Sequence, residues 1–207
     1  MEKLDLARQY KSYYTAKAKP ELVTIPAAQY ISITGKGDPS GEEYARRLGA
    51  LYPVAYALKF MYKALGKDFS VAKLEGLWWY DENKFGNPSM HEAPTTVPRS
   101  EWEYRMLIRL PDFVSREHIA PAIETVCFKK KLDLAREVHF FEMHEGTCVQ
   151  MLHTGPFDQE PETLKHILEF CREHGLKQNG LHHEIYLSDF RKTAPEKLKT
   201  ILREPVR

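Results

Sequence analysis

Two stretches of this chain pass through the same features in the same order, and that repetition limits the folds open to it. A strand, a glycine turn, a helix, a strand running to an aspartate, a connection and a strand before a proline occur twice. The first copy spans about residues 27–111 and the second about 138–207. Gly37 corresponds to Gly155, Asp81 to Asp189 and Pro111 to Pro205, and the offset falls from 118 through 108 to 94 residues. A shrinking offset excludes a solenoid, which needs a fixed period. The long connection at residues 83–100 in the first copy, short in the second, accounts for the later drop. The expected fold class is α+β: tandem strand–helix–strand–strand repeats with pseudo-twofold symmetry and a central groove. Residues 21–207 are expected as a single domain, with 1–20 an arm attached to it rather than part of its core.

Local signals place the elements. Residues 30–34 alternate as a half-buried strand after Pro26, and Leu48, Leu51, Ala55, Leu58 and Tyr62 recur at helical spacing within 42–65. Pro53 is expected to kink that helix or start a second one. Strands are expected at 74–81 and 101–109, then a helix at 115–126 capped by Ser115, with Pro121 in its middle. Strands at 138–144 and 147–153 flank Glu145-Gly146, a hairpin signal. A helix at about 161–173 and strands at 183–189 and 197–202 complete the second copy.

Composition narrows the partners. The formal net charge is +1, which suggests neither a nucleic acid nor an anionic membrane. Cys127, Cys148 and Cys171 have no metal or redox spacing and read as reduced, partly buried thiols. The start of the chain, charged from its second residue, has no apolar signal core, and no apolar run reaches the length of a membrane span; a cytoplasmic protein is expected. His182 and His183, with His153, come nearest to a metal cluster, but neighbours in a strand point to opposite faces, so no metal is expected. Gly35-Lys36-Gly37 lacks the pattern of a phosphate loop, no Ser or Cys stands in a nucleophile motif, and no cofactor is expected.

Alternation puts Glu184, Tyr186 and Ser188 on one strand face and Ile185 and Leu187 on the other. The Ile/Leu face suits packing against a helix, which turns Glu184 and Tyr186 away from it, toward solvent or a groove. The matching residues of the first copy are Gly76, Trp78 and Tyr80. A carboxylate beside aromatic walls has two chemical uses. Ionised, it attracts a lipophilic cation, to which rings add about 0.5–2 kcal/mol. Desolvated, it can serve as general base or acid toward a water. A solvated strand residue is the plain alternative. Trp102, Tyr104, Met106 and Ile108 suit a core, with Trp102 a ligand-wall candidate beside the long loop. Phe85, Met90 and His91 in that loop, and Phe157 in the turn before the second helix, are either ligand contacts or ordinary loop residues.

Four segments resemble the stand-alone form of the GyrI-like small-molecule-binding family. They are Glu75-Gly76-Leu77-Trp78-Trp79, residues 145–156 from Glu145 to Pro156, residues 182–189 from His182 to Asp189, and residues 197–206 from Lys197 to Val206. The resemblance runs from about residue 20 to the last residue. It implies tandem strand–helix–strand–strand units around a ligand groove, in which Glu184 resembles the ligand-contacting glutamate of drug-sensing relatives. The tryptophan strand is similar to that of a subfamily that hydrolyses cyclopropane-bearing alkylators through an aromatic cage. The implied function is binding of hydrophobic or aromatic xenobiotics and hydrolysis of strained cyclopropane-bearing alkylators, with Glu184 catalytic and Trp78, Tyr80, Trp102, Tyr186, Phe157 and Phe85 around the ligand. Drug sequestration without turnover, and a protein-interaction module, are the alternatives.

Overall fold

The computed structural model describes residues 3–89 and 91–207; Met90, one of the loop candidates, and the first two residues lie outside them. In chain order the helices are α1 (Leu6–Gln9), α2 (Glu42–Ala64), α3 (Glu82–Phe85), α4 (Ala93–Thr96), α5 (Ile119–Lys130) and α6 (Glu160–Glu173). The strands are β1 (Glu21–Ile25), β2 (Ala28–Lys36), β3 (Leu74–Trp79), β4 (Glu103–Arg109), β5 (His139–Met143), β6 (Gly146–Thr154), β7 (His182–Tyr186) and β8 (Lys199–Pro205). All eight form one antiparallel sheet, ordered β1-β6-β8-β7-β3-β4-β2-β5 and curled into a half-barrel.

Without β1 and β5 that order is a palindrome: first, third and second strand of the later copy, then second, third and first of the earlier. The repeat expected from the sequence is therefore a true structural symmetry, with its axis between β7 and β3. The two remaining strands tie the halves together. β1 pairs with β6 and β5 with β2 in one unbroken register, so 21–32 and 139–150 make a single bent antiparallel ladder.

That ladder overturns the hairpin expected at Glu145-Gly146, because β5 and β6 do not pair with each other. The chain bends there and continues along its partner, which bends at Pro26-Ala27. Gly146 supplies the positive φ of 69° at the bend. The Glu145 carboxylate fixes it, accepting from His183 Nδ1 at 2.9 Å and from an Arg203 guanidinium nitrogen at 3.2 Å.

Both prolines sit inside helices without dividing them. α2 runs uninterrupted through Pro53, and Pro121 falls in the first turn of α5, where a missing N–H costs nothing. The long helices share one face of the sheet: α2 and α5 cover the first copy and α6 the second. The other face is closed by the segment before β1. Leu6, Tyr13 and Tyr14 are buried there with Ile25, Cys148, Ile185 and Ile201, and the Leu152 N–H donates to the Lys17 carbonyl at 2.7 Å.

Two expectations change with this. The segment expected as an arm contributes Leu6, Tyr13 and Tyr14 to the core. The face assignment of β7 is reversed: Ile185 packs under the N-terminal segment, while Glu184 and Tyr186 lie on the side that carries α2, α5 and α6. Alternation had separated the two sets, but it does not say which layer covers each. Among the described residues no helix is long and apolar enough to cross a membrane, and the three cysteines are buried and free.

Candidate functional site

Strand registers locate the symmetry axis to a residue. Ile33 faces Met106, which faces Gly76; in the other copy Met151 faces Leu202, which faces Glu184. Gly76 and Glu184 are thus equivalent positions, and they also face each other across β3 and β7. The axis passes between them. Trp78 and Tyr186 become symmetry mates, as do Leu74 and His182. The same registers make Arg109, not Pro111, the counterpart of Pro205, because the strand before Pro205 runs on into it.

One member of the axial pair has no side chain and the other is a carboxylate. Tyr186 donates its hydroxyl to Glu184 Oε2 at 2.5 Å and accepts from the Trp78 indole at 3.1 Å, so the mates join across the axis. His182 Nε2 lies 3.2 Å from the other Glu184 oxygen, and its Nδ1 bonds Glu204. Burial alone lowers the basicity of His182, but Glu204 and Glu184 outweigh it and hold the imidazole well above its ordinary pKa of 6.5. Each ring nitrogen faces a carboxyl oxygen, an arrangement that the protonated ring satisfies at both ends. Burial raises the Tyr186 phenol well above its usual value, and Glu184 and Tyr44 push it further. Tyr186 remains a donor.

A third carboxyl completes the cluster. Glu160, the first residue of α6, is 8% exposed, and burial, reinforced by Glu184, raises its pKa well above 4.5 against the pull of His182. One oxygen of Glu160 and one of Glu204 have no hydrogen-bond partner among the described residues.

The aromatic candidates form a connected wall with one exception. Phe157 meets Tyr186 edge-on with ring centres 6.0 Å apart, Trp78 meets Trp102 at 6.5 Å, and Trp102 meets Tyr80 at 5.3 Å. Two bonds tie the long loop to this wall: Trp102 to the Val97 carbonyl and Tyr80 to the Pro88 carbonyl, each 3.3 Å. Phe85 stands apart, its ring under the Lys84 ammonium and meeting no other ring among the described residues. Trp78 and Tyr186 are also core residues, 8% and 9% exposed and packed in the largest apolar cluster. Further members were not among the ligand candidates read from the sequence, where Tyr104 was assigned to the core. Tyr44 of α2 stacks on Trp78 at 6.2 Å, Tyr104 lies 5.5 Å from it, and Phe190 meets Phe157 at 6.5 Å. Tyr44 and Phe190 carry no periodic signal for this role. Tyr104 did, since it shares its strand face with Trp102.

His183 turns the opposite way, as alternation requires, into a second polar cluster under the N-terminal segment. It bonds Glu145 at 2.9 Å and Glu75 at 3.1 Å. Glu75 also accepts from the hydroxyls of Tyr13 and Tyr14, and Tyr13 adjoins the Tyr30 hydroxyl at 2.8 Å. Burial opposes charge here too. His183 and Arg203 nevertheless bring Glu145 down to about 2, and Glu145 and Glu75 raise His183. The two clusters sit back to back, Glu75 beside Gly76 and His183 beside Glu184. His153 joins neither, being held by Thr163 and the Pro156 carbonyl. Among the described residues no group of three or more His, Cys, Asp or Glu is arranged to hold a metal.

Two cavities lie away from Glu184: about 550 Å³ between α2 and α5, and about 350 Å³ near the bend at Ala27 and His144. Over Gly76 the space is taken by Trp78, Tyr186 and Met106, whose ends lie 2.9–3.3 Å from where a Cβ would stand. A ligand at the axis has to part these side chains.

The profile of the GyrI-like small molecule binding domain matches residues 18–207. No curated protein matches the chain. Among solved structures, an uncharacterized conserved protein from Listeria innocua is 38% identical, covers 99% of this chain and 100% of its own, and superposes with a TM-score of 0.87. A hydrolase from Listeria innocua is 37% identical over 99% and 100%, with a TM-score of 0.84. The C-terminal domain of EcmrR is similar in fold alone, at 14% identity, 91% and 97% coverage and a TM-score of 0.56.

Proposed function

Because the chain belongs to the GyrI-like small-molecule-binding family, we propose that it binds flat hydrophobic or aromatic xenobiotics at the Gly76–Glu184 axis and hydrolyses strained cyclopropane-bearing members of that class. The observation that carries this is the bond chain from Trp78 through Tyr186 to Glu184, which joins an aromatic wall to a carboxylate at 3.1 and 2.5 Å. A planar substrate takes the place of the Tyr186 ring over Gly76 and lies against Trp78, with Tyr80, Trp102 and Phe157 along its edges. In displacing Tyr186 it frees Glu184 Oε2 to accept a proton from water. The water oxygen bonds to a ring carbon, the strained C–C bond breaks, and its electrons pass into the conjugated system of the substrate. The similar Listeria innocua protein described as a hydrolase supports a hydrolytic role.

Binding without turnover is the second possibility, favoured by the charge of the cluster. One imidazolium faces Glu184 and Glu204, which leaves a net negative site suited to a lipophilic cation.

Glu184→Gln separates the two. The amide keeps the shape but is too weak a base, so turnover of a neutral electrophile should fall about 10²–10⁴-fold with affinity little changed. A cationic ligand should instead lose affinity. A panel of neutral cyclopropyl electrophiles and aromatic cations, read by mass spectrometry for addition of water, tests both. Undiminished turnover in the variant removes Glu184 as the base.

A further inference from the structure

The α2–α5 side of the molecule carries features that a ligand groove at Glu184 does not use. The 550 Å³ cavity there is lined by Tyr52, Tyr56, Phe60 and Met61 of α2 and by Lys129 and Lys130 of α5. Large apolar side chains of α2, of α5 and of the turn after α2 are exposed. Tyr56 is 47% exposed, Phe60 58%, Leu65 60% and Phe128 76%. Isolated surface rings need no explanation, but a cluster around an apolar cavity marks a surface that meets something.

The charge around it is one-sided. Lys63, Lys67, Lys129, Lys130 and Lys131 are exposed and form no ion pair among the described residues. Of the acids nearby, Asp68 pairs with Lys59 and Glu124 with Arg136, which leaves Asp133 against these five lysines. Ammonium groups sit over the exposed rings, Lys59 5.5 Å from the centre of Phe60 and Lys131 4.9 Å from Phe128. The whole-chain charge of +1 conceals this segregation.

We propose that the α2–α5 face docks on the surface of an anionic lipid bilayer, with Phe60, Phe128 and the apolar cavity at the acyl boundary and the lysines among lipid phosphates. Rings and ammoniums at adjacent depths match the layering of that boundary, where aromatic bodies sit below headgroups and lysine stems reach up to them. A second copy of the chain fits less well, since a twofold contact sets these lysines against their own equivalents. The face also adjoins the groove: Tyr52 lines the cavity, and Asp189 and Arg191, which flank Phe190, act on its hydroxyl. Docking does not depend on what the groove binds.

Flotation of the full chain with vesicles of phosphatidylglycerol and phosphatidylcholine, against phosphatidylcholine alone, tests this. The protein should float with the anionic vesicles and be released by salt. At about 1 kcal/mol per lysine near such a surface, Lys129→Gln with Lys130→Gln should lower partitioning about thirty-fold. Phe60→Ser with Phe128→Ser should abolish it, while Leu22→Ser, an exposed apolar residue on the edge strand, should not change it. All these positions are exposed, so the variants should fold. Equal binding to neutral vesicles, or no binding to either, overturns the proposal. So does a dimer by light scattering that the double serine variant dissociates, which would assign the face to a second copy.

Discussion

Gly76→Ala places one methyl group on the symmetry axis, and the surroundings set its cost. The new Cβ would stand 2.9 Å from the Trp78 indole nitrogen, 3.1 Å from the Tyr186 hydroxyl and 3.3 Å from the end of Met106. The first is closer than real contacts allow, so the bond between Trp78 and Tyr186 has to open. Trp78 cannot simply swing aside, because Tyr44 and Tyr104 pack its ring. Overpacking of this kind costs about 1–3 kcal/mol, and an indole N–H left unpaired in the interior about 1–3 kcal/mol more. Gly76 has no positive φ, so the backbone tolerates alanine, whose stiffer unfolded chain returns about 0.4–1 kcal/mol. A net loss of about 3 kcal/mol corresponds to a melting temperature about 6–12 °C lower for a chain of this size. Thermal melts followed by tryptophan fluorescence measure it. Trp78→Phe, which removes the obstructing nitrogen, should make the alanine cheaper, so the pair should be coupled in a double-mutant cycle. A Gly76→Ala protein that melts within a degree of the parent, with additive behaviour toward Trp78→Phe, would refute the closed axis.

Tyr13→Phe removes a buried hydroxyl that serves both Glu75 and Tyr30, and should cost about 1–3 kcal/mol in urea unfolding. A negligible cost would mean that the N-terminal segment merely rests on the sheet. Glu145 is held at about 2, so its contribution of about 3 kcal/mol is present above pH 4.5 and lost as pH falls toward 2; Glu145→Gln should flatten that acid limb. The raised His182 and His183 have the opposite sign: their contribution is complete below 6.5 and lost as pH rises through their folded values. Stability should therefore peak between about 4.5 and 6.5, and a protein that gains stability above pH 7 would contradict the pairing. Glu160→Gln should be near neutral in unfolding at pH 4 and gain on the parent as pH rises above 4.5, since the unfolded glutamate ionises there while the buried one resists it; an unchanged difference between pH 4 and pH 7 would show Glu160 ionising as an ordinary carboxyl.

Truncating the cage rings is a poorer probe than their place on a groove suggests. Trp78 and Tyr186 belong to the core as well as to the wall, so alanine there should cost about 3–5 kcal/mol in stability whatever it does to a ligand. Phenylalanine at Tyr186 keeps the packing and removes the polar contact, whereas at Trp78 it also gives up part of the ring.

The sequence by itself carried the repeat, the strand–helix–strand–strand order and the separation of Glu184 and Tyr186 from Ile185, because each follows from local periodicity. Alternation also sent His182 and His183 to opposite faces, and the structure finds them in different clusters. What lay beyond it were facts of long-range pairing. The Gly turn at Gly146 looked like a hairpin because a turn residue does not record which strand comes alongside; β2 and β1 were available, and the chain bent instead of reversing. Likewise a two-residue alternation defines faces without naming their cover, so the layer over Ile185 was fixed only when Tyr13 and Tyr14 found Glu75. The axial pair is the clearest case. Gly76 and Glu184 lie 108 residues apart and look unrelated in the chain. Their equivalence exists only once two curled halves share a register, since an axis of symmetry is a property of the assembled sheet and of no segment within it.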